Sequence, residues 1–263
     1  ALAAGGRLAY AGAGSSGVMA LADALELPGT FGLAPERTPV LVAGGAATLL
    51  HMTGAVEDET GSARAEIARL ALGPGDALVV VTASGTTPYA LAAAEAARDA
   101  GATVIALANV AGSPLLGIAH RPVLLDTGAE AVAGSTRMGA ATAQKITLNM
   151  LSTLVALRLG HVHDGLMVNL TADNAKLRAR AARIVAEIAG VDARRAAAAL
   201  AAAAGAVKPA TLIAAGAPDR AAAADLLAAA AGRLGPALAA LAASRNDNQG
   251  RPERAPHQGD RTP

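Results

Sequence analysis

The chain has 263 residues, is 53% hydrophobic with two Tyr, one Phe and no Trp, and carries a net charge of +1. So neutral and aromatic-poor a composition excludes nucleic acid as a partner, which needs a basic face and often stacking rings. The absence of cysteine removes disulfides, thiolate metal sites and thiol nucleophiles and leaves the redox compartment unconstrained, and no run of about twenty apolar residues escapes Gly, Pro or charge, so no membrane span is expected.

Short Val-, Leu- and Ile-rich runs at 7–13, 39–43, 77–82, 103–108 and 122–126 predict five strands. Segments of helical period at 16–27, 62–72 and 88–100 separate several of them, the last opening on Pro88 and stopped by Gly101. Continuous apolar strands alternating with helices predict a parallel, doubly wound α/β sheet covered on both faces. Residues 138–159 predict one long helix, buried on most sides. Beyond Thr171 the pattern is helical and alanine-rich, with breaks near Gly190, at 205–209, at Pro218 and near Gly235; the low-complexity run 196–204 reads as plain helix. The expected organisation is an α/β domain over 1–171, an all-helical extension over 172–243 and a disordered polar tail over 244–263.

Three loops are built almost entirely from Gly, Ser and Thr: GAGSSG from Gly12, TASGTTP from Thr82 and GSTRMGAATAQK from Gly134. In parallel sheets ligands bind beyond the carboxyl ends of the strands, where the first two of these loops fall. The helix that follows such a loop offers unpaired N–H groups, and hydroxyls add neutral donors, so phosphate can be held without Lys or Arg. Ser15, Ser16, Ser84, Thr86, Thr87, Ser135 and Thr136 are therefore candidate phosphate ligands, with Arg137 and Lys145 nearby. GAGSSG fits a dinucleotide fingerprint only loosely, and 40–45 lacks the acidic residue that such a site requires. Two glutamates stand beside these loops. Glu26 closes the apolar stretch LADALELP and is either a helix-end carboxylate or an acid; Glu57 is either part of an acidic first helical turn or a base. His161, His163 and Asp164 look like a metal triplet, but no further ligand cluster accompanies them.

The ordered motifs GAGSSG, DALELPGTFG, AGG, TASGTTPY, GSTRMGAATAQK, LNMLST and LMVNLTADNAKL resemble the N-acetylmuramic acid 6-phosphate etherases of the sugar isomerase (SIS) domain proteins, a resemblance that runs from about Gly6 through Ala243. The resemblance implies a flavodoxin-like five-stranded sheet, a cytoplasmic homodimer acting on a small sugar phosphate, and no metal or organic cofactor. It also implies a helical segment before the sheet, so the chain beginning at Ala1 is expected to be a fragment. Glu26 matches the acid that assists departure of lactate, and Glu57 the base that removes the sugar's C2 proton. Burial among Leu25, Leu27 and Pro28 is expected to keep Glu26 protonated. Val18, Thr86 and Gly139 stand where the etherase pattern has Arg, Arg and Lys, and Ala46 where AGGE is common. Loss of cations leaves open a non-catalytic sugar-phosphate sensor, and shared C2 proton abstraction leaves open an aldose–ketose isomerase.

Overall fold

The structure, a computed structural model, describes residues 1–249. The chain divides into two compact units, Ala1–Leu159 and Gly160–Pro263. In the first, β1 (Leu8–Gly12), β2 (Val40–Val42), β3 (Ala77–Val81), β4 (Thr103–Ala108) and β5 (Arg121–Leu124) form a parallel sheet ordered β2-β1-β3-β4-β5. This is the doubly wound, flavodoxin-like α/β arrangement, with the strand order reversing beside β1.

Helices α1 (Gly14–Phe31), α2 (Gly45–Thr48), α3 (Thr60–Leu70), α4 (Pro88–Asp99), α5 (Pro114–Ile118) and α6 (Gly139–Arg158) complete this unit. Strand alternation decides which side chains meet which helices. Ala9, Ala11, Leu78, Val80, Val104 and Ala106 join one core with Ile67 of α3, Tyr89 and the alanines of α4, and Leu115 of α5. On the opposite face, Tyr10 meets Asp23 of α1, and Leu8, Ala77 and Ile105 line a cavity with Leu151 and Val155 of α6. The buried side of α4 carries Ala90, Ala92, Ala93, Ala94 and Ala97, so packing here rests on many small side chains. Tyr89 adds a polar contact, donating its hydroxyl to Glu66 of α3, and Arg64 of α3 pairs with Glu95 of α4 at 2.7 Å.

Two expectations about helices need correction. α1 does not stop before Pro28 but continues to Phe31, with Gly32 in the left-handed region closing it. α6 forms where a long helix is predicted, yet it is not buried on most sides. Its packing against α1 leaves Ile146, Met150, Leu154 and Leu157 between 45% and 59% exposed, at spacings that place them on one face. Apolar content announced burial; the position of α6 in the layer leaves one face uncovered.

The second unit begins with an antiparallel hairpin of β6 (Val162–His163) and β7 (Leu166–Met167). Helices α7 (Ala175–Ala189), α8 (Ala193–Ala202), α9 (Val207–Ala215), α10 (Arg220–Ala229) and α11 (Leu234–Gln249) follow. Asn174, Asp192 and Asp219 cap α7, α8 and α10 by accepting from backbone N–H groups three residues on. The polar segment expected to be disordered from Ser244 begins inside α11, and 250–263 lie outside the described residues. Among the described residues no single helix is long and apolar enough to cross a membrane.

The start of the sheet is clipped by charge. Asp76 accepts from the Arg7 backbone N–H at 2.7 Å, from Arg7 Nη2 at 2.7 Å and from the Gly73 N–H at 3.1 Å, while Arg7 Nη1 reaches the Leu70 carbonyl at 2.6 Å. The hydrogen bonds from Arg7 hold the Asp76 carboxyl below its usual range. A depressed folded value stabilises above the ordinary carboxylate range and is lost as pH falls through that value. Asp76→Asn is expected to lower stability near neutrality by roughly 1–3 kcal/mol, and the loss should shrink towards pH 3, as checked by urea denaturation across that range.

Candidate active site

β1 ends at Gly12 and the chain turns directly into α1, so strand and helix backbones nearly touch. A Cβ on Gly17 would lie 2.8 Å from the Gly12 carbonyl oxygen. Gly14 has a φ of +54°, and a Cβ there would lie 2.5 Å from Glu57 Oε1. Ala13, extended and without a capping side chain, precedes α1, which leaves the N–H groups of its first turn uncapped by a side chain. Glu57 therefore stands over the start of α1. It comes from a 3-10 turn, Gly54–Asp58, rather than from the first turn of α3.

The loop between β3 and α4 supplies a second wall. Thr82 Oγ1 is 2.8 Å from Thr87 Oγ1 and 3.5 Å from Ser84 Oγ, and the Thr86 hydroxyl donates to Ser84 Oγ at 2.9 Å. These mutual bonds pre-order a row of hydroxyls ahead of α4, whose N-cap, Thr87, likewise makes no side-chain cap. Together the two loops and Glu57 enclose a cleft of about 210 Å³ at the carboxyl ends of β1 and β3. Ser15, Ser16, Ser84, Thr87 and Thr136 line it with Glu57. Among the described residues its lining holds no Lys or Arg. Such a cleft can seat an anion on neutral donors and helix N-termini while presenting one carboxylate to it.

The remaining sequence candidates lie elsewhere. Glu26 is twelve residues beyond Gly14 on the same helix, hence roughly 18 Å along its axis. It lines a separate cavity of about 240 Å³ with Asp23, Thr30, Asn149, Ser152 and Thr153. The expected burial among Leu25, Leu27 and Pro28 does not occur: Leu27 is buried, but Glu26 is exposed and Leu25 is 68% exposed. The reason is the path of α1, which turns Ala20, Asp23, Ala24 and Leu27 inward and residues 25 and 26 outward. Thr86, Ser135, Arg137 and Lys145 do not line the cleft; Arg137 is exposed, and Lys145 sits in a groove on the open face of α6 with Ile146 and Met150.

Thr82 and Met52 line the cleft without having been singled out. Thr82 stood within a quoted motif, whereas nothing local marks Met52. Glu130 was also missed. Its carboxylate accepts from the Ala140 N–H at 2.9 Å and the Gly139 N–H at 3.0 Å, capping α6 and fastening the loop that carries Ser135 and Thr136. No short-range spacing announces a cap nine residues ahead of its helix. In the second unit His163 Nε2 lies 3.6 Å from Asp164 Oδ2, and among the described residues no three His, Asp or Glu are placed to hold a metal.

A parallel sheet in this order, with hydroxyl loops and open helix starts at the carboxyl ends of its central strands, defines a SIS-type α/β protein, and the SIS domain family model matches residues 1–109. The N-acetylmuramic acid 6-phosphate etherase of Deinococcus radiodurans is 47% identical over 209 residues, 80% of this chain and 68% of that protein. That of Streptomyces avermitilis is 44% identical over 239 residues, 91% of this chain and 77% of that one. The chain belongs to the N-acetylmuramic acid 6-phosphate etherase family. Among solved structures, a phosphoheptose isomerase from Francisella tularensis is 23% identical, aligning over 59% of this chain and 79% of that one with a TM-score of 0.44.

The Ala140 and Gly139 N–H groups hold the Glu130 carboxyl below its usual range, so its cap is present above the ordinary carboxylate range and is lost as pH falls through the depressed value. Glu130→Ala is expected to lower the protection factors of the Gly139 and Ala140 amides at neutral pH to those that the unsubstituted chain shows only in acid, as checked by hydrogen exchange corrected for intrinsic rates.

Proposed function

We propose that the protein is an N-acetylmuramic acid 6-phosphate etherase, a carbon–oxygen lyase that releases D-lactate and yields N-acetylglucosamine 6-phosphate. The observation that carries this reading is Glu57, held against Gly14 at a cleft walled by Ser15, Ser16, Ser84, Thr87 and Thr136. The identity with the Deinococcus and Streptomyces etherases supports it.

In the open-chain sugar the C1 aldehyde acidifies the C2 hydrogen, and the Glu57 carboxylate removes it. Donors in the cleft stabilise the resulting enolate. The C3–oxygen bond then breaks, its electron pair leaves with the lactyl oxygen, and Glu26 delivers a proton to that oxygen. The product is an aldehyde unsaturated between C2 and C3. Water adds at C3, losing its proton to the Glu26 carboxylate, while Glu57 returns a proton to C2. The phosphate on the hydroxyl row acts as a remote handle that fixes the reacting carbons.

A second copy is part of the proposal, because Glu26 cannot reach the Glu57 cleft of its own chain along a helix of this length. The exposed row Ile146, Met150, Leu154 and Leu157 offers an apolar face for self-association. Asn149 and Thr153 line both the groove on that face and the cavity holding Glu26, so the two adjoin. In this homodimer each Glu26 serves the partner's cleft. The setting is cytoplasmic, since a phosphorylated sugar crosses a bilayer only at high cost.

The test is D-lactate release from N-acetylmuramic acid 6-phosphate in oxygen-labelled water, with label expected at C3 of the amino sugar. Glu57→Gln and Glu26→Gln are each expected to lower turnover by about 10²–10⁴-fold. Mixing the two variants should restore about one quarter of full activity through heterodimers with one intact site. Wild-type turnover by Glu57→Gln would remove the base assignment, and two inactive variants that fail to complement would remove the shared site.

A further inference from the structure

The cleft that holds Glu57 contains a side chain to which the reaction above gives no task. Its lining is made of hydroxyls, the Glu57 carboxylate and the single methyl groups of Ala13 and Ala83, except for Met52. Among the described residues Met52 is the one large apolar side chain there, and it is 51% exposed. A lone exposed Met on an open surface carries little meaning. Inside a cleft whose other walls offer donors and a negative charge, it places apolar surface where a bound ligand would cover it.

The segment that carries Met52 is anchored at both ends. After β2 the chain turns into α2 at Gly44 and Gly45, with φ of +76° and +61°. The Thr48 hydroxyl donates to the Ala43 carbonyl at 2.8 Å, and the His51 N–H to the Ala47 carbonyl at 3.1 Å. On the other side Val56 packs back on this turn: a Cβ on Gly44 would lie 3.0 Å from Val56 Cγ1. Residues 49–55, between these anchors, are exposed. Leu49, Leu50 and Met52 share that bulge, but of the three only Met52 lines the cleft. Glu57 follows it by five residues and lines the same space of about 210 Å³. A carboxylate that removes the C2 proton must bring an oxygen within about 3 Å of that carbon. The acetamido group bonded to C2 is therefore held in the small space that Glu57 and Met52 share.

Phosphate donors hold any sugar phosphate alike, so discrimination at C2 has to come from a contact made elsewhere. A hydroxyl gains nothing from a methyl group. A thioether chain removes that methyl from water, and unbranched Met can adjust its rotamers to do so. We propose that Met52 is a specificity-determining residue: it packs against the methyl of the acetamido group on C2 and favours N-acetylated amino sugars over sugars with a hydroxyl there. This rests on the etherase reading, with Glu57 as the base at C2. The lactyl methyl, on the neighbouring C3, is the competing apolar contact, and the product, which lacks it, separates the two.

The experiment is isothermal titration of the unsubstituted protein, Met52→Ala and Met52→Leu with N-acetylglucosamine 6-phosphate and with glucose 6-phosphate, which differ only at C2. Met52→Ala is expected to weaken binding of the acetylated sugar about five- to tenfold and that of glucose 6-phosphate by less than about twofold. Met52→Leu, which keeps an apolar side chain, should retain most of the preference. Equal weakening of both ligands by Met52→Ala would mark a residue that shapes the cleft without reading C2, and overturns the proposal. So does an unsubstituted protein that binds the two sugars equally, or a Met52→Ala that binds both as before. Unchanged affinity for N-acetylglucosamine 6-phosphate with a raised KM for the lactyl substrate assigns Met52 to the lactyl group and overturns it as well. Failure of the etherase reading looks different. The unsubstituted protein would then release no lactate, while the comparison of the two sugars still decides the role of Met52 by itself.

Discussion

Close backbone approach between β1 and the first turn of α1 is the constraint on which the site depends. Gly12, Gly14 and Gly17 leave no room for side chains, and a Cβ on Gly14 would strike the Glu57 carboxylate. A helix start attracts anions only where its N–H groups can be approached, and the bare backbone at this turn keeps them open. The same turn sets the track of α1 across the sheet. That track brings Asp23 over Tyr10 and against Asn149 and Ser152, and it sends Glu26 to the far end of the helix.

The electrostatics of the cleft follow from this geometry. The resemblance led one to expect cations at positions taken by Val18, Thr86 and Gly139. The hydroxyl row running from Thr82 to Thr87 and two helix starts without side-chain caps supply donors that carry no formal charge. Thr86 is bonded to Ser84, and the Gly139 N–H is engaged by Glu130, so two of the replaced positions have structural work of their own. Preorganised dipoles of this kind act on a phosphate with little reorganisation.

The alanine-rich composition has a mechanical counterpart. Small side chains on α4 let it pack on α3 and the sheet with few large groups. Ile146, Met150, Leu154 and Leu157, by contrast, are left uncovered by the described residues along one face of α6. This row of Ile, Met and Leu lies beside the cavity that Glu26 lines, and uncovered apolar surface of this kind is the type that marks contact sites.

Much of the fold was legible locally. Runs such as 77–82 and 103–108 are too apolar to be anything but strands covered on both sides, and Pro88 and Gly101 bracket α4 by their own backbone restrictions. The Gly, Ser and Thr loops likewise announced a hydroxyl-lined cleft, because those residue types carry their chemistry wherever the chain takes them. The sequence alone therefore determined the layers, the loops and the kinds of side chain available. It could not reveal that α1 runs through Pro28, that one face of α6 stays open, or that Glu57 rather than Glu26 stands at the hydroxyl cleft. Nor could it join Asp23 to residues 126 and 129 positions away. Only the tertiary structure decided these, because each depends on which distant surfaces come into contact, and local propensity carries no information about a neighbour supplied by another part of the sheet.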